Sequence, residues 1–155
     1  MTPNWHAFLD AIAISEGTST SKITQDNGYD ILVSGIDGPA RFDSYATHPN
    51  ILVTVTHQGL KSTAAGRYQI LYKNWLYYMH LLGLSNFGPG PQDAIAMQMI
   101  RETRADADIN SGHIADAVNK VSHLWASLPG ANYNQHENTL AEFLGWYKSG
   151  GGTLA

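Results

Sequence analysis

The amino-acid sequence predicts an α+β fold, a mostly helical domain with a small antiparallel sheet inserted after its first helix. Apolar residues recur at helical spacing at the start of the chain and again through its second half. Between them, from Thr18 to about Gln58, that spacing is lost, and Gly28, Gly35, Gly38, Pro39 and Pro49 cut the chain into short runs such as YDILV, RFDSY and ILVTVT. The chain has 155 residues and no internal repeat, heptad run or low-complexity linker. A single domain over residues 1–155, with its β lobe at about 18–60, is the expected organisation.

Element by element, Thr2 and Pro3 form an N-cap followed by proline at the first helical position. The helix they open runs to Glu16, stops at Gly17, and carries an apolar stripe of Trp5, Phe8, Leu9, Ile12 and Ala13. After the sheet runs, small residues from Ser62 to Gln69 lead into Leu71, Tyr72, Trp75, Leu76, Met79 and Leu82, which predicts one long central helix ended by Gly83. Pro91 opens an alanine- and methionine-rich helix to about Arg104, and Ser111 caps another that holds Ile114, Val118, Val121 and Trp125. PGANYNQHEN is a polar loop, Thr139 and Glu142 make a capping-box pattern before LAEFLGWY, and Gly150 to Gly152 release the tail.

Composition excludes several functions. With a formal charge of −4 and nine Lys and Arg, the chain has no basic stripe for a phosphate backbone, so nucleic acid is not an expected partner. Charged residues make up 14%, against roughly 25% in an average globular protein, so recognition leans on uncharged polar groups. Without cysteine there is neither a disulfide framework nor a thiolate zinc site. The seven histidines are scattered, with no HExxH or other paired ligand spacing, and no metal is expected. MTPNWHAFLD has no positive n-region or cleavage site, and no stretch of about 18 apolar residues occurs, so neither a signal peptide nor stable membrane insertion is expected.

One residue breaks the first helix's pattern. Glu16 is eleven positions from Trp5 and so returns to within about 20° of it, on the apolar stripe. Burial disfavours a charged carboxylate, and the carbonyl end of a helix repels an anion, so both effects favour the protonated form. A neutral carboxyl in a cleft suits protonation of a glycosidic oxygen. On the pattern alone, a frayed last turn that lets Glu16 reach water is the more common outcome.

The words SEGT, GYD, STAAGRYQ, QDA, WASLPG and NYNQ, in that order from Phe8 to Gly152, resemble the phage lambda endolysin family of lytic transglycosylases. The resemblance implies a lysozyme-like fold with a cleft between lobes. It also implies cleavage of the β-1,4 bond between N-acetylmuramic acid and N-acetylglucosamine in peptidoglycan, leaving a 1,6-anhydro end without metal or cofactor. Glu16 takes the place of the family's catalytic acid. It would protonate the glycosidic oxygen and then act as base for the sugar's own 6-hydroxyl, an intramolecular nucleophile that needs no second carboxylate. Hydrolytic phage lysozymes place Asp nine and Thr fifteen residues after their Glu, where this chain has Gln25 and Ile31, although Asp26, Asp30, Asp37 and Asp43 follow.

The same resemblance suggests who binds the glycan. Tyr29 and Asp30 match GYD, an aromatic face for a sugar ring and a carboxylate for hydroxyls, with a turn or sheet-edge role for Asp30 equally open. Ser62, Thr63, Ala64, Ala65 and Gly66 read as a helix start whose free N–H groups meet sugar oxygens, Lys61 joins Ser62 and Thr63 as a candidate contact, and Gln69 ends GRYQ, while the Tyr68 ring reads as core. Ser127, Tyr133 and Gln135 can bond neutral sugar hydroxyls and acetamides. Residues 51–60 and 126–138 match the family's upper and lower lips, and extra residues around Gly35 to Arg41 and altered ones at Val55 to Gly59 bear on subsite preference. Trp75, Trp125 and Trp146 read as core rather than as sugar platforms. The implied protein is a monomer made in the host cytoplasm, acts on peptidoglycan glycan strands in the periplasm, and depends on a holin for passage. The alternatives are a hydrolytic muramidase and a wall-binding or virion module that has lost turnover.

Overall fold

A computed structural model of the chain describes residues 1–132 and 136–155. Its helices are α1 (Pro3–Ser15), α2 (Tyr72–Leu82), α3 (Pro89–Glu102), α4 (Asp106–Ser111), α5 (Ile114–Val121) and α6 (Leu140–Ser149), with strands β1 (Val53–Thr54) and β2 (Lys61–Ser62). The fold is α+β, as the sequence predicts. Two compact units are distinguished: Met1–Glu16 with Ala96–Ala155, and Gly17–Ile95, so the boundary falls within α3. Among the described residues no helix is long and apolar enough to cross a membrane.

In the first unit, α1 starts where its cap requires. The Thr2 hydroxyl accepts from the Trp5 amide at 3.4 Å, Glu16 is the C-cap, and Gly17 takes the left-handed φ of +75° that stops the helix. Trp5, Ala7, Phe8, Leu9, Ala11, Ile12 and Ala13 are all buried, which makes α1 a core helix rather than a one-sided one. It packs on α6 through an edge-to-face pair of Phe8 and Phe143 with ring centroids 5.3 Å apart. Such a pair contributes about 0.5–1.5 kcal/mol beyond its buried area. The capping box of α6 is complete: the Glu142 amide donates to the Thr139 hydroxyl at 3.1 Å and the Thr139 amide to the Glu142 carboxylate at 3.0 Å.

Four expectations for this unit change. Ser111 does not cap α5: it ends α4, a six-residue helix too short to show a stripe in sequence, and its hydroxyl donates back to the Ala107 carbonyl at 2.8 Å. Trp125 stays buried but lies past the end of α5, after a 3₁₀ turn at Ser122–Leu124. The glycines after α6 do not release the tail. They let it fold back, so that the Tyr147 hydroxyl donates to the Thr153 carbonyl at 3.0 Å, the Thr153 amide to Asn4 Oδ1 at 3.0 Å, and the Ala155 amide to the Gly112 carbonyl at 3.1 Å. Of the three tryptophans, Trp146 is only half-buried, because Tyr147 takes the fully buried position.

In the second unit the sheet is smaller than predicted. Val53 pairs with Ser62 and Thr54 with Lys61, antiparallel, while YDILV and RFDSY contribute single bridges such as Ile31 to Arg41. The Gly and Pro residues that mark the lobe also keep its runs too short for longer ladders. β2 lies just beyond the predicted edge at residue 60. The central helix begins only at Tyr72, because left-handed residues at Gly66 (φ +82°) and Gln69 (φ +52°) break the preceding segment into turns. Helix α3 begins at Pro89, two residues before the predicted Pro91. The buried face of α2 is Trp75 and Tyr78, and Leu76 is exposed. Trp75 stands edge-on to Phe87 at 5.2 Å, and the His48 ring lies 4.8 Å from Phe87.

Gln92 joins these parts. Fully buried, it accepts the Arg67 amide at 2.9 Å through Oε1, and donates through Nε2 to the Phe87 carbonyl at 2.8 Å and the Tyr29 carbonyl at 3.1 Å. Gly66 lies directly against that amide, so any Cβ there would collide with it. Gly66→Ala combines this clash with left-handed strain and is expected to lower stability by about 2–4 kcal/mol. Urea denaturation checks it, and a loss under about 0.5 kcal/mol would show that the turn accommodates a side chain.

Candidate active site

Among the described residues, Glu16 is the carboxyl whose placement raises its pKa. As C-cap of α1 it has helical φ and ψ of −75° and −10°, and its amide still donates to the Ile12 carbonyl at 2.8 Å. The residue is half-buried, and its Oε1 accepts from the Ser127 hydroxyl at 3.2 Å. Burial raises its pKa from 4.5 to about 7, with the Ser127 hydrogen bond acting in the opposite direction. At neutral pH this group is therefore poised to give up or take a proton.

Ser127, predicted to meet sugar hydroxyls, here spends its proton on Glu16. Its oxygen also lies 2.8 Å from the Ser15 hydroxyl. Asn138 completes the group: its Nδ2 lies 2.9 Å from Ser15 Oγ and 3.3 Å from each of the Ser15 and Ser127 carbonyl oxygens. Sequence reasoning singled out neither Ser15 nor Asn138. Both fall inside quoted stretches, SEGT and PGANYNQHEN, yet only the fold brings positions 15, 127 and 138 together.

Tyr29, Asp30, Lys61, Ser62, Thr63 and Gln69 fall into separate clusters of the second unit. The Tyr29 and Tyr68 hydroxyls both donate to Asp93 Oδ1, at 2.8 and 2.6 Å. Arg67, itself buried, stacks over both rings with centroid distances of 5.3 and 5.6 Å. Burial first, and Asp93 second, push the Tyr29 phenol up to about 12, and burial raises Tyr68 as well, so both remain hydrogen-bond donors. Tyr68 is core, as predicted. Asp93 was in view only as part of QDA, and Arg67 only as part of GRYQ.

Asp30 is buried and fully engaged. Burial alone would raise its carboxyl, but hydrogen bonds from the Thr24 hydroxyl, the Gln25 amide and Arg41 outweigh that and hold it below the usual carboxylate value. It lines a depression of about 310 Å³ with Asp26, Arg41, Asp43 and Tyr45. The Gln69 amide nitrogen donates to the Gly66 carbonyl at 3.0 Å and the Ile31 carbonyl at 3.4 Å, bracing its own turn. Lys61, Ser62 and Thr63 share another depression, about 320 Å³, with Leu52, Leu71 and Tyr72. The N–H groups of residues 62–66 are not a helix start, since Ser62 belongs to β2; the Thr63 hydroxyl instead accepts the Tyr72 amide at 3.0 Å, at the actual start of α2. Tyr133 and Gln135 lie outside the described residues.

Among the described residues no group of three His, Asp or Glu side chains could hold a metal ion. His48, the most deeply placed histidine, lies 2.7 Å from the Ile70 carbonyl through Nε2 and accepts the Asn50 amide through Nδ1 at 3.0 Å. Burial lowers its pKa, against the pull of that carbonyl, and keeps it neutral.

Comparison with known proteins bears on family and fold. The family model described as Endolysin matches residues 6–154. The endolysin of Escherichia phage P2 is 43% identical, over 98% of this chain and 95% of its own length. The endolysin of Escherichia phage lambda is 44% identical, over 96% of this chain and 91% of its own length. A solved structure of bacteriophage lambda lysozyme complexed with a chitohexasaccharide superimposes with a TM-score of 0.94 at 42% identity, covering 100% of this chain and 98% of that one. A second lambda lysozyme structure gives a TM-score of 0.89 at 40% identity, with the same coverage.

The raised pKa of Glu16 has a measurable thermodynamic sign. The folded chain holds this proton more tightly than the unfolded one, so the stability it contributes is present below about 4.5 and is lost as pH rises to about 7. Glu16→Gln is expected to match wild type at pH 4 and to be more stable at pH 8 by about 3 kcal/mol. Thermal unfolding across that range checks it, and a difference that stays constant with pH would contradict it.

Proposed function

The chain belongs to the endolysin family, and from that premise we propose that it cleaves bacterial peptidoglycan as a lytic transglycosylase, with Glu16 as the catalytic acid and base. The bond is the β-1,4 link between N-acetylmuramic acid and N-acetylglucosamine. Glu16 gives its proton to the glycosidic oxygen as the bond breaks. The deprotonated carboxylate then takes the proton of the sugar's 6-hydroxyl, whose oxygen closes on C1 to give the 1,6-anhydro end and restores the acid. No metal or cofactor takes part.

The observation that carries this reading is the carboxyl of Glu16, lifted to about 7 by burial. A glycosidic acid must be protonated at working pH, and an ordinary surface Glu is not. Residue types and hydrogen bonding favour the anhydro route over hydrolysis. Ser127 is a hydroxyl, Gln25 and Ile31 stand where a hydrolase of this kind has Asp and Thr, and Asp30 is committed to Thr24, Gln25 and Arg41. The lambda lysozyme complex holds six linked sugars, and a glycan strand of similar extent is the proposed substrate here. In the first unit Ser127 serves Glu16; in the second, Tyr29, Asp30, Lys61, Ser62, Thr63 and Gln69 remain proposed contacts, as do Tyr133 and Gln135. The protein acts as a monomer on the periplasmic wall during host lysis, reaching it from the cytoplasm once a holin has opened the membrane.

Glu16→Gln is expected to lower wall clearing by at least about a thousandfold while leaving the fold intact. Wild-type activity is expected to decline as pH rises through about 7, where Glu16 loses its proton. Mass spectrometry of products from purified peptidoglycan distinguishes the chemistry. Muropeptides lighter by one water support the anhydro route, and reducing ends identify a hydrolytic muramidase. Full clearing by the Gln variant would remove Glu16 from the mechanism, and binding without turnover by wild type would identify a wall-binding module.

A further inference from the structure

The hydroxyl chain beside Glu16 has a direction, and that direction is set by one amide. Asn138 Nδ2 lies within hydrogen-bond distance of two carbonyl oxygens, those of Ser15 and Ser127, each at 3.3 Å. Carbonyls only accept, so the nitrogen and not the oxygen of this amide must face them. On its other side Oδ1 meets His136 Nε2 at 3.3 Å, a group that can donate. The same nitrogen, 2.9 Å from Ser15 Oγ, therefore donates to that hydroxyl.

Ser15 has one proton to give, and its remaining neighbour is Ser127 Oγ at 2.8 Å. Ser127 in turn has Glu16 Oε1 at 3.2 Å. A single consistent order runs Asn138 to Ser15 to Ser127 to Glu16, with each group donating to the next. The reverse order would place the Glu16 proton on Oε1, donate it to Ser127, and leave the Ser15 hydroxyl proton without an acceptor beside the donating amide. An unmade hydrogen bond in a partly buried site is disfavoured.

Resting on Glu16 as the acid, we propose that Asn138 and Ser15 are positioning residues that fix Oε1 as an acceptor and so confine the transferable proton to Oε2. Neither touches the reacting atoms. In the cleavage step the O–H bond at Oε2 breaks and its proton passes to the glycosidic oxygen, while Ser127 continues to donate to Oε1 and stabilises the carboxylate that forms. Among the described residues, the titratable side chain met along these hydrogen bonds besides Glu16 is His136, at the far side of Asn138.

Ser15→Ala tests this cleanly, since Asn138 keeps its bonds to both backbone carbonyls and only the hydroxyl link is lost. Without the bond from Ser15, the donation of Ser127 to Oε1 weakens, which favours neutral Glu16 and misplaces part of its proton. The expected result on purified peptidoglycan fragments is a kcat about three- to tenfold lower, an unchanged KM, and an alkaline limb moved up by about half a pH unit. Ser15→Thr, which restores a hydroxyl, is expected to recover both. Ser127→Ala, which removes the bond to Glu16 itself, is expected to move the limb up by about one unit. If Glu16→Gln is inactive while Ser15→Ala changes only thermal stability, with the pH limb and kcat unmoved, the positioning role is overturned and Glu16 stands. If Glu16→Gln retains activity, the assignment of the acid fails and this inference fails with it.

Discussion

The burial of one carboxyl at the end of a core helix is the constraint on which the proposed chemistry depends. α1 is apolar on nearly every side, so it is held deep in its unit, and its C-cap side chain emerges where water is scarce. Desolvation there outweighs the Ser127 hydrogen bond and keeps Glu16 partly protonated near pH 7. The opposition between the two has a use. In the proposed reaction, burial supplies an acid that is protonated when needed, and the hydroxyl stabilises the anion left when the proton has gone. A fully apolar pocket would hold the proton too tightly, and an open surface would not hold it at all.

The second unit solves a different problem, the placement of polar groups in a short, turn-rich segment with little sheet. Gln92 takes the place of a longer ladder by satisfying two carbonyls and an amide from separate turns. Asp93, its neighbour in sequence, gathers two phenols beneath a buried guanidinium. Gly66 is glycine because both its left-handed φ and the Gln92 amide beside it forbid a side chain. These constraints give GRYQ and QDA a structural meaning: the two words are halves of one hydrogen-bonded cluster.

Much of the fold was legible in the sequence. Where a signal is local, it worked: Thr2 and Pro3 for α1, Gly83 for the end of α2, and Thr139 with Glu142 for α6 all stand where local pattern put them. Where small residues were ambiguous, it failed. Ser62 to Gly66 suit a helix start as well as a turn, and only the collision of Gly66 with Gln92 decides between them. The six residues of α4 are too few to display a period. Glu16 could be found from its place on the stripe together with the resemblance of its surroundings. Ser15 and Asn138 could not, because their role depends on contacts across more than a hundred residues of chain.

The central claim is that burial holds the Glu16 carboxyl partly protonated in the folded protein near neutral pH. Its side-chain carboxyl carbon, followed by NMR through a pH titration of the native state, reports this directly. A midpoint near 7 is predicted, and a midpoint near 4.5, the value of a free glutamate side chain, would contradict the account.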